Sequence, residues 1–205
     1  IALDYYFKAL KIDEEIGNKN GIARHLNNIG IIYNEQKDYS KALDYYLKAL
    51  KMNEDLGDKY QIAKNLVNIG NAYTQQANHT IALDYYFKAL KMDEELGINI
   101  GIAANLGNIG SVYKSIGKFK EAEAYLKKAI AIGDSIGAKN DLRQFEETLS
   151  QLYETTGRFK LALEHYKKAM ELKDTLFNQE KDKELTRKEM NYEFDKKEVA
   201  TKAEN

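Results

Sequence analysis

Apolar residues recur along most of the chain at intervals of three and four, which is the spacing of an amphipathic α-helix. In residues 40–56 they form one helix face, made of Ala42, Leu43, Tyr46, Ala49, Leu50 and Met52. Residues 20–36 form a second such helix, whose inner face carries Ile22, Leu26, Ile29, Gly30 and Tyr33. The alternating pattern of a β-strand is absent, so the sequence predicts an all-α chain.

Glycine and hydroxyl residues mark the predicted helix ends. Gly57 and Gly97 follow the last apolar positions of their helices and are predicted as C-caps, because glycine readily adopts the left-handed conformation that ends many helices. Ser40 and Thr80 are predicted as N-caps, because a hydroxyl oxygen accepts a hydrogen bond from an unpaired backbone N–H. Short polar turns therefore join successive helices.

The helix pattern repeats with an offset of 40 residues. Residues 1–17 recur almost unchanged at 81–97, an intermediate copy occupies 41–57, and looser copies begin at Glu121 and Leu161. A single helix pair cannot bury both of its apolar faces, so neighbouring pairs must stack. The repeat predicts a solenoid of antiparallel helix pairs.

Small and aromatic residues follow one order within each repeat. The motif L-x-x-I-G-x-x-Y in residues 66–73 precedes Ala82, Tyr86 and Ala89 in the second helix. This order resembles the tetratricopeptide repeat, in which a glycine and an alanine let two helices cross closely. The resemblance covers about residues 1–177 and implies a right-handed α-α superhelix of helix pairs. The 40-residue period is similar to that of kinesin light chains, spindle-orientation adaptors and the repeat regions of bacterial sensor histidine kinases.

The last part of the chain departs from the repeat. Residues 178–205 are rich in both charge signs and contain neither Gly nor Pro, so we predict a charged helical extension beyond the solenoid. Leu185, Tyr192 and Val199 are spaced by seven, which is a coiled-coil signal without its second apolar position. The alternative is a single helix held by pairs such as Glu184 with Lys188. Both interpretations stay open.

Composition narrows the function classes. Thirty-one basic and 32 acidic residues leave a formal net charge of −1, so no overall charge attracts nucleic acid or an acidic membrane. Without cysteine there is neither a disulfide nor a thiolate metal site. No apolar run approaches the roughly 20 residues of a membrane span. The chain opens inside an amphipathic helix, so we expect a fragment of a longer protein. The compartment stays open between cytoplasmic and, for a sensor kinase, extracytoplasmic.

Side chains that often carry chemistry are scattered. His25, His79 and His165 lie in different repeats at different helical phases, so no pair has the spacing of metal ligands. The acidic clusters that begin at Asp13, Asn53 and Asp93 repeat and are flanked by lysines, so we interpret them as a solvated rim. We therefore predict no catalytic residue, no metal site and no cofactor.

An asparagine ladder is the strongest candidate for a binding site. Asn28, Asn68 and Asn108 recur on the first helices, which line the concave groove in tetratricopeptide folds. At this position they resemble the asparagines that hydrogen-bond a bound peptide backbone, because an amide offers both a donor and an acceptor. The predicted neighbours in the groove are Arg24, Asn27, Ile31, Asn34, Lys64, Asn71, Gln75, Ser111 and Lys114. The alternative is that these asparagines bridge adjacent repeats.

A carboxylate clamp for chaperone C-termini is a well-known tetratricopeptide subtype, and the sequence argues against it. The clamp needs Lys, Asn, Asn, Lys and Arg over three repeats. The matching positions here hold Asn27, Ile31, Asn68, Ala104 and Asn108, of which one agrees.

Two functional hypotheses follow from this resemblance. In the first, the chain is a non-catalytic scaffold that binds a partner peptide or protein segment in its groove. In the second, it is the sensory or spacer region of a bacterial membrane-anchored histidine kinase or transcription regulator. A homodimer through the C-terminal helix or the open N-terminal end, where Leu3, Tyr6 and Leu10 lack a preceding helix, is a further expectation.

Overall fold

The computed structural model describes residues 2–203, with side-chain surroundings for residues 2–184, 186–188 and 190. The described residues form nine α-helices and no strand, which confirms the predicted all-α helical repeat. The helices are α1 (Ala2–Glu15), α2 (Lys19–Glu35), α3 (Tyr39–Leu56), α4 (Lys59–Gln75), α5 (His79–Leu96), α6 (Asn99–Ser115), α7 (Phe119–Ser135), α8 (Lys139–Thr155) and α9 (Phe159–Ala203). None of these helices has an apolar stretch long enough to cross a bilayer.

The chain separates into two compact units. One comprises α1 to α7 and the other comprises α8 and α9. Helices α2 with α3, α4 with α5, α6 with α7 and α8 with α9 form the repeated pairs. Helix α9 continues without a break past residue 177, where the sequence predicts the end of the solenoid, so that predicted boundary lies inside a helix.

The C-caps occur as predicted. Gly57 and Gly97 both have φ of 69°, and the N–H of each closes the last turn of its helix. A side chain at such a left-handed position is strained, which explains why glycine recurs there.

The N-cap prediction is wrong for both hydroxyl residues. Helix α3 begins at Tyr39 and is capped by Asp38, whose carboxylate accepts a hydrogen bond from the Lys41 N–H at 3.2 Å. Helix α5 begins at His79 after Asn78. Ser40 and Thr80 consequently lie inside the first turn.

Glycines in the first helices permit the close crossing within each pair. A Cβ built on Gly30 would lie 2.6 Å from the Tyr46 ring, and one built on Gly70 would lie 2.7 Å from the Tyr86 ring. Tyr46 and Tyr86 are each only 2% exposed. The predicted packing of glycine against an aromatic residue is therefore confirmed at both crossings.

The open N-terminal helix is partly covered by the repeat that follows it. Leu10 of α1 is buried with Leu26 and Ile29 of α2, and the half-buried Leu3 and Tyr6 pack against the same cluster. Helix α2 thus covers much of the face that the sequence leaves without a preceding helix.

In the second unit, polar residues replace the usual small and apolar ones. Glu146 contacts the Nδ1 atom of His165, and both side chains are largely buried. The Ser150 hydroxyl donates a hydrogen bond to the Ala162 carbonyl at 2.8 Å. The rings of Tyr153 and His165 lie 5.2 Å apart between centroids.

The C-terminal part of α9 shows one of the predicted ion pairs. Lys188 lies 2.7 Å from Glu184, one helical turn earlier. The heptad residues Leu185, Tyr192 and Val199 lie outside the residues whose side chains are described, so the coiled-coil hypothesis stays a prediction.

Candidate functional site

Buried polar pairs join three of the second helices, α1, α3 and α5, to the first helix of the following repeat. Three pairs recur at the 40-residue period: Asp13 with His25 at 3.0 Å, Asn53 with Asn65 at 2.6 Å, and Asp93 with Asn105 at 2.8 Å. One repeat further along the sequence, the equivalent positions hold Gly133 and Phe145, which have no polar side chain.

These pairs correct one part of the interpretation of the acidic clusters as a solvated rim, because only the second and third residues of each cluster are exposed as predicted. Asp13, Asn53 and Asp93 are buried rather than solvated. Each lies three residues after a buried leucine, on the same face of its helix. The sequence does carry a signal for the pairs, because polar residues recur in register on two otherwise apolar faces.

Between α2 and α4 the polar contacts continue from one repeat to the next. The side-chain amide of Asn65 donates a hydrogen bond to the Oδ1 atom of Asn27 at 2.9 Å, and that of Asn68 donates to the same oxygen at 2.8 Å. With Asn53 these residues form a hydrogen-bonded network of four side-chain amides. This network joins α2, α3 and α4 through buried and half-buried groups.

No equivalent amide network connects α4 to α6 among the described residues. The residue equivalent to Asn27 is Val67, which offers no side-chain acceptor. Asn105 instead donates its amide to Asp93, and its Oδ1 atom is buried without a hydrogen-bond partner. An unsatisfied buried acceptor is costly, so this position differs energetically from its counterpart in the preceding repeat.

A cavity of about 260 Å³ opens at the same place. Its apolar wall includes Tyr60, Val67, Ile98, Ile100, Gly101 and Ala104. Gln61 and Lys64 occupy the positions equivalent to Gly101 and Ala104 in the preceding repeat. The cavity therefore exists because two long side chains of one repeat are replaced by two of the smallest residues in the next.

Three polar residues also line this cavity, and they differ in exposure. Asp93 is 5% exposed, and burial raises the pKa of its carboxyl, although the hydrogen bond from Asn105 opposes that rise. Asn68 is half-buried. Lys64 is exposed, with its ammonium 5.5 Å from the centroid of the Tyr60 ring. The cavity thus combines apolar walls with a buried carboxylate.

The structure brings two of the predicted groove residues, Lys64 and Asn68, into the wall of one cavity. Asn28 and Asn108 occupy equivalent half-buried positions on α2 and α6. Arg24 and Gln75 are exposed.

The other predicted groove residues are held by contacts within the protein or are partly buried. Asn71 accepts a hydrogen bond from the Tyr86 hydroxyl at 2.6 Å, and the Ser111 hydroxyl donates to the carbonyl of Gly107 at 2.9 Å. The Oδ1 atom of Asn34 is buried without a partner. Burial lowers the pKa of Lys114.

A second cavity lies between α3, α4 and α5. It has a volume of about 460 Å³ and is lined by Glu54, Tyr85, Lys88 and Met92, among others. It contains none of the predicted groove residues. In the described part of the chain, no group of three His, Asp or Glu side chains is arranged to hold a metal ion.

Comparison with known proteins agrees with the helical-repeat fold. A family model described as tetratricopeptide repeat matches residues 1–55, 61–135 and 102–175. No curated protein matches the sequence significantly.

Several solved structures share the fold. BtubC (BKLC) from P. vanneervenii is 22% identical, with a TM-score of 0.74 over 83% of this chain and 71% of that one. A Rap protein complexed with competence and sporulation factor is 26% identical, with a TM-score of 0.72 over 86% of this chain and 50% of that one. A putative kinesin light chain from Podosopora anserina is 11% identical, with a TM-score of 0.66 over 85% of this chain and 87% of that one. The chain thus spans about half the length of the Rap protein.

Proposed function

Because the chain belongs to the tetratricopeptide repeat family, we propose that it is a non-catalytic scaffold that binds an extended segment of a partner protein. The binding surface is the groove along the first helices α2, α4 and α6. The observation that carries this proposal is the cavity between α4 and α6, with Lys64 and Asn68 in its wall.

The chemistry of this surface suits a peptide. Half-buried amides at Asn28, Asn68 and Asn108 recur at the repeat distance, and an amide matches both the N–H and the C=O of an extended backbone. The cavity lies beside Asn68 and has room for a side chain of the same segment. The Rap protein that shares the fold forms a complex with competence and sporulation factor, which supports a partner of this kind.

Selection from a random peptide library displayed on phage tests the proposal. Selected peptides are synthesised, and their dissociation constants are measured by isothermal titration calorimetry. Ala104→Lys and Val67→Asn introduce the residues found at the equivalent positions of the preceding repeat, so both variants are compatible with the fold. Ala104→Lys fills the cavity and Val67→Asn makes its apolar wall polar, so each should weaken binding about 10-fold or more, as expected when about 1.4 kcal/mol is lost.

Asp84→Asn on the exposed side of α5 is the control and should bind as the wild type does. If no peptide is selected, or if selected peptides bind both cavity variants as tightly as the wild type, the proposal is wrong.

A further inference from the structure

The carboxylate of Asp93 is buried without a cation. Among the described residues, the one side-chain hydrogen bond to this carboxylate comes from Asn105, and no Lys, Arg or His forms an ion pair with Asp93. A buried carboxylate ordinarily has a charged or multiply donating partner, because removing it from water is costly.

The same position two repeats earlier has the partner that Asp93 lacks. Asp13 lies 3.0 Å from the Nε2 atom of His25 and accepts a hydrogen bond from Asn18 at 2.9 Å. His25 and Asn105 are equivalent residues. The chain therefore places an ionisable base against one buried carboxylate and a neutral amide against the other.

Small residues keep the Asp93 carboxylate open toward the cavity. A Cβ built on Gly101 would lie 2.3 Å from its Oδ2 atom, so any side chain at residue 101 would displace or cover the carboxylate. In the preceding repeat Gln61 is equivalent to Gly101, and the neutral Asn53 is equivalent to Asp93. The acidic Asp93 therefore occurs in the repeat in which Gly101 leaves space beside it, and the neutral Asn53 occurs in the repeat with the longer Gln61.

A second acceptor without a donor lies next to this carboxylate. Asn105 is fully buried, and because its amide nitrogen donates to Asp93, its Oδ1 atom is left without a hydrogen bond. Of these two groups, the carboxylate lines the cavity, where a ligand with several N–H groups would satisfy it.

We infer that the cavity between α4 and α6 holds a lysine or arginine side chain of the bound segment, with its cationic group against Asp93. This inference rests on the proposed function and adds the chemistry of one position in the partner. The aliphatic part of the side chain packs against Tyr60, Val67 and Ile100. At about 260 Å³ the cavity lies below the range of about 300–1,000 Å³ for drug-sized ligands, which suits a single side chain.

Nuclear magnetic resonance with small probes tests the inference without a known partner. The probes are Nα-acetylarginine methylamide, its lysine analogue and the neutral isostere Nα-acetylcitrulline methylamide. Both cationic probes should produce saturable shifts of the Gly101 N–H and the Asn105 side-chain amide. The citrulline probe should bind at least 10-fold more weakly, because it cannot form the charged hydrogen bond.

Two variants connect the binding to Asp93. Asp93→Asn introduces the residue found in the preceding repeat, which favours folding, and should weaken binding of the arginine probe by about 10-fold or more. Ala104→Lys retains Asp93, fills the cavity and should prevent probe binding. Asp84→Asn removes an exposed carboxylate of the same helix and should leave binding unchanged.

Three outcomes would overturn the inference: equal affinity for the arginine and citrulline probes, unchanged affinity in Asp93→Asn, and no shift at Gly101 or Asn105. Its failure is separable from that of the proposed function. If selected peptides lack Lys and Arg but bind Ala104→Lys more weakly than the wild type, the proposed groove is supported and the inferred cationic side chain is contradicted.

Discussion

Asn68 donates its side-chain amide to the Oδ1 atom of Asn27 across 2.8 Å, and this bond links the first helices of two successive repeats. Asn108 occupies the equivalent position one repeat later, but the residue of α4 that is equivalent to Asn27 is Val67, whose side chain has no acceptor. The members of the asparagine ladder are therefore not equivalent. Asn68 has a structural role in addition to its place in the cavity wall.

This difference predicts unequal effects on stability. Asn68→Ala removes the hydrogen bond to Asn27 and should lower the free energy of unfolding by about 0.5–1.5 kcal/mol. Asn108→Ala should change it by no more than about 0.5 kcal/mol. Urea denaturation followed by circular dichroism measures both values. Equal losses in the two variants would contradict the structural role assigned to Asn68.

The close approach of Gly70 to Tyr86 predicts a reversal of the usual effect of alanine. In an exposed helix interior Gly→Ala gains about 1 kcal/mol. Gly70→Ala should instead cost about 1–3 kcal/mol, since its Cβ would overlap the ring. In a Tyr86→Ala background the same substitution should become neutral or stabilising. Thermal melts of the four proteins of this cycle test the contact, and a loss that persists in that background would refute it.

Tyr86 also predicts a loss of stability at alkaline pH. Burial raises the pKa of its hydroxyl to about 12 from its usual value of 10.0. Between these values the unfolded chain releases a proton that the folded chain retains, so the free energy of unfolding falls as pH rises. A pKa shift of about two units corresponds to a total loss on the order of 3 kcal/mol once pH exceeds both values.

Replacement of this tyrosine isolates its contribution. Tyr86→Phe should reduce the decrease in unfolding free energy between about pH 9 and about pH 11. Urea denaturation at the two pH values provides the comparison. An unchanged decrease in Tyr86→Phe would show that this hydroxyl titrates normally in the folded protein.

The contact of Glu146 with His165 predicts strong coupling in the second unit. Leucine occupies the position of Glu146 in the other repeats, and tyrosine occupies that of His165. His165→Tyr alone leaves the buried Glu146 carboxyl without its partner and should cost about 3 kcal/mol. Adding Glu146→Leu should recover that loss or exceed it, because apolar replacement of a buried pair is often neutral or stabilising. A double-mutant cycle by chemical denaturation measures the coupling, and additive effects would contradict it.

Much of the fold follows from local patterns. The apolar spacing of residues 40–56 predicts a helix, and the structure has one at Tyr39–Leu56. The N-caps were missed because Asp38 and Ser40 both suit a cap, and the choice depends on where the preceding turn ends. The candidate site could be predicted in part. Lys64 and Asn68 follow from their place on a first helix, whereas Asp93 was assigned to the solvent because its flanking residues are charged.

By itself, the sequence determined the helices, their pairing and the register of the repeat, because these depend on spacings within one turn and on a 40-residue offset that is visible in the chain. Only the tertiary structure decided which polar groups meet. Asn65 contacts Asn53 across 12 positions and Asn27 across 38, and Asn68 contacts Asn27 across 41. The direction of a buried amide depends on the acceptors that surround it in space. In the next repeat Asp93 replaces Asn53 and Val67 replaces Asn27, so Asn105 donates its amide to the carboxylate, and Gly101 and Ala104 leave that carboxylate beside a cavity.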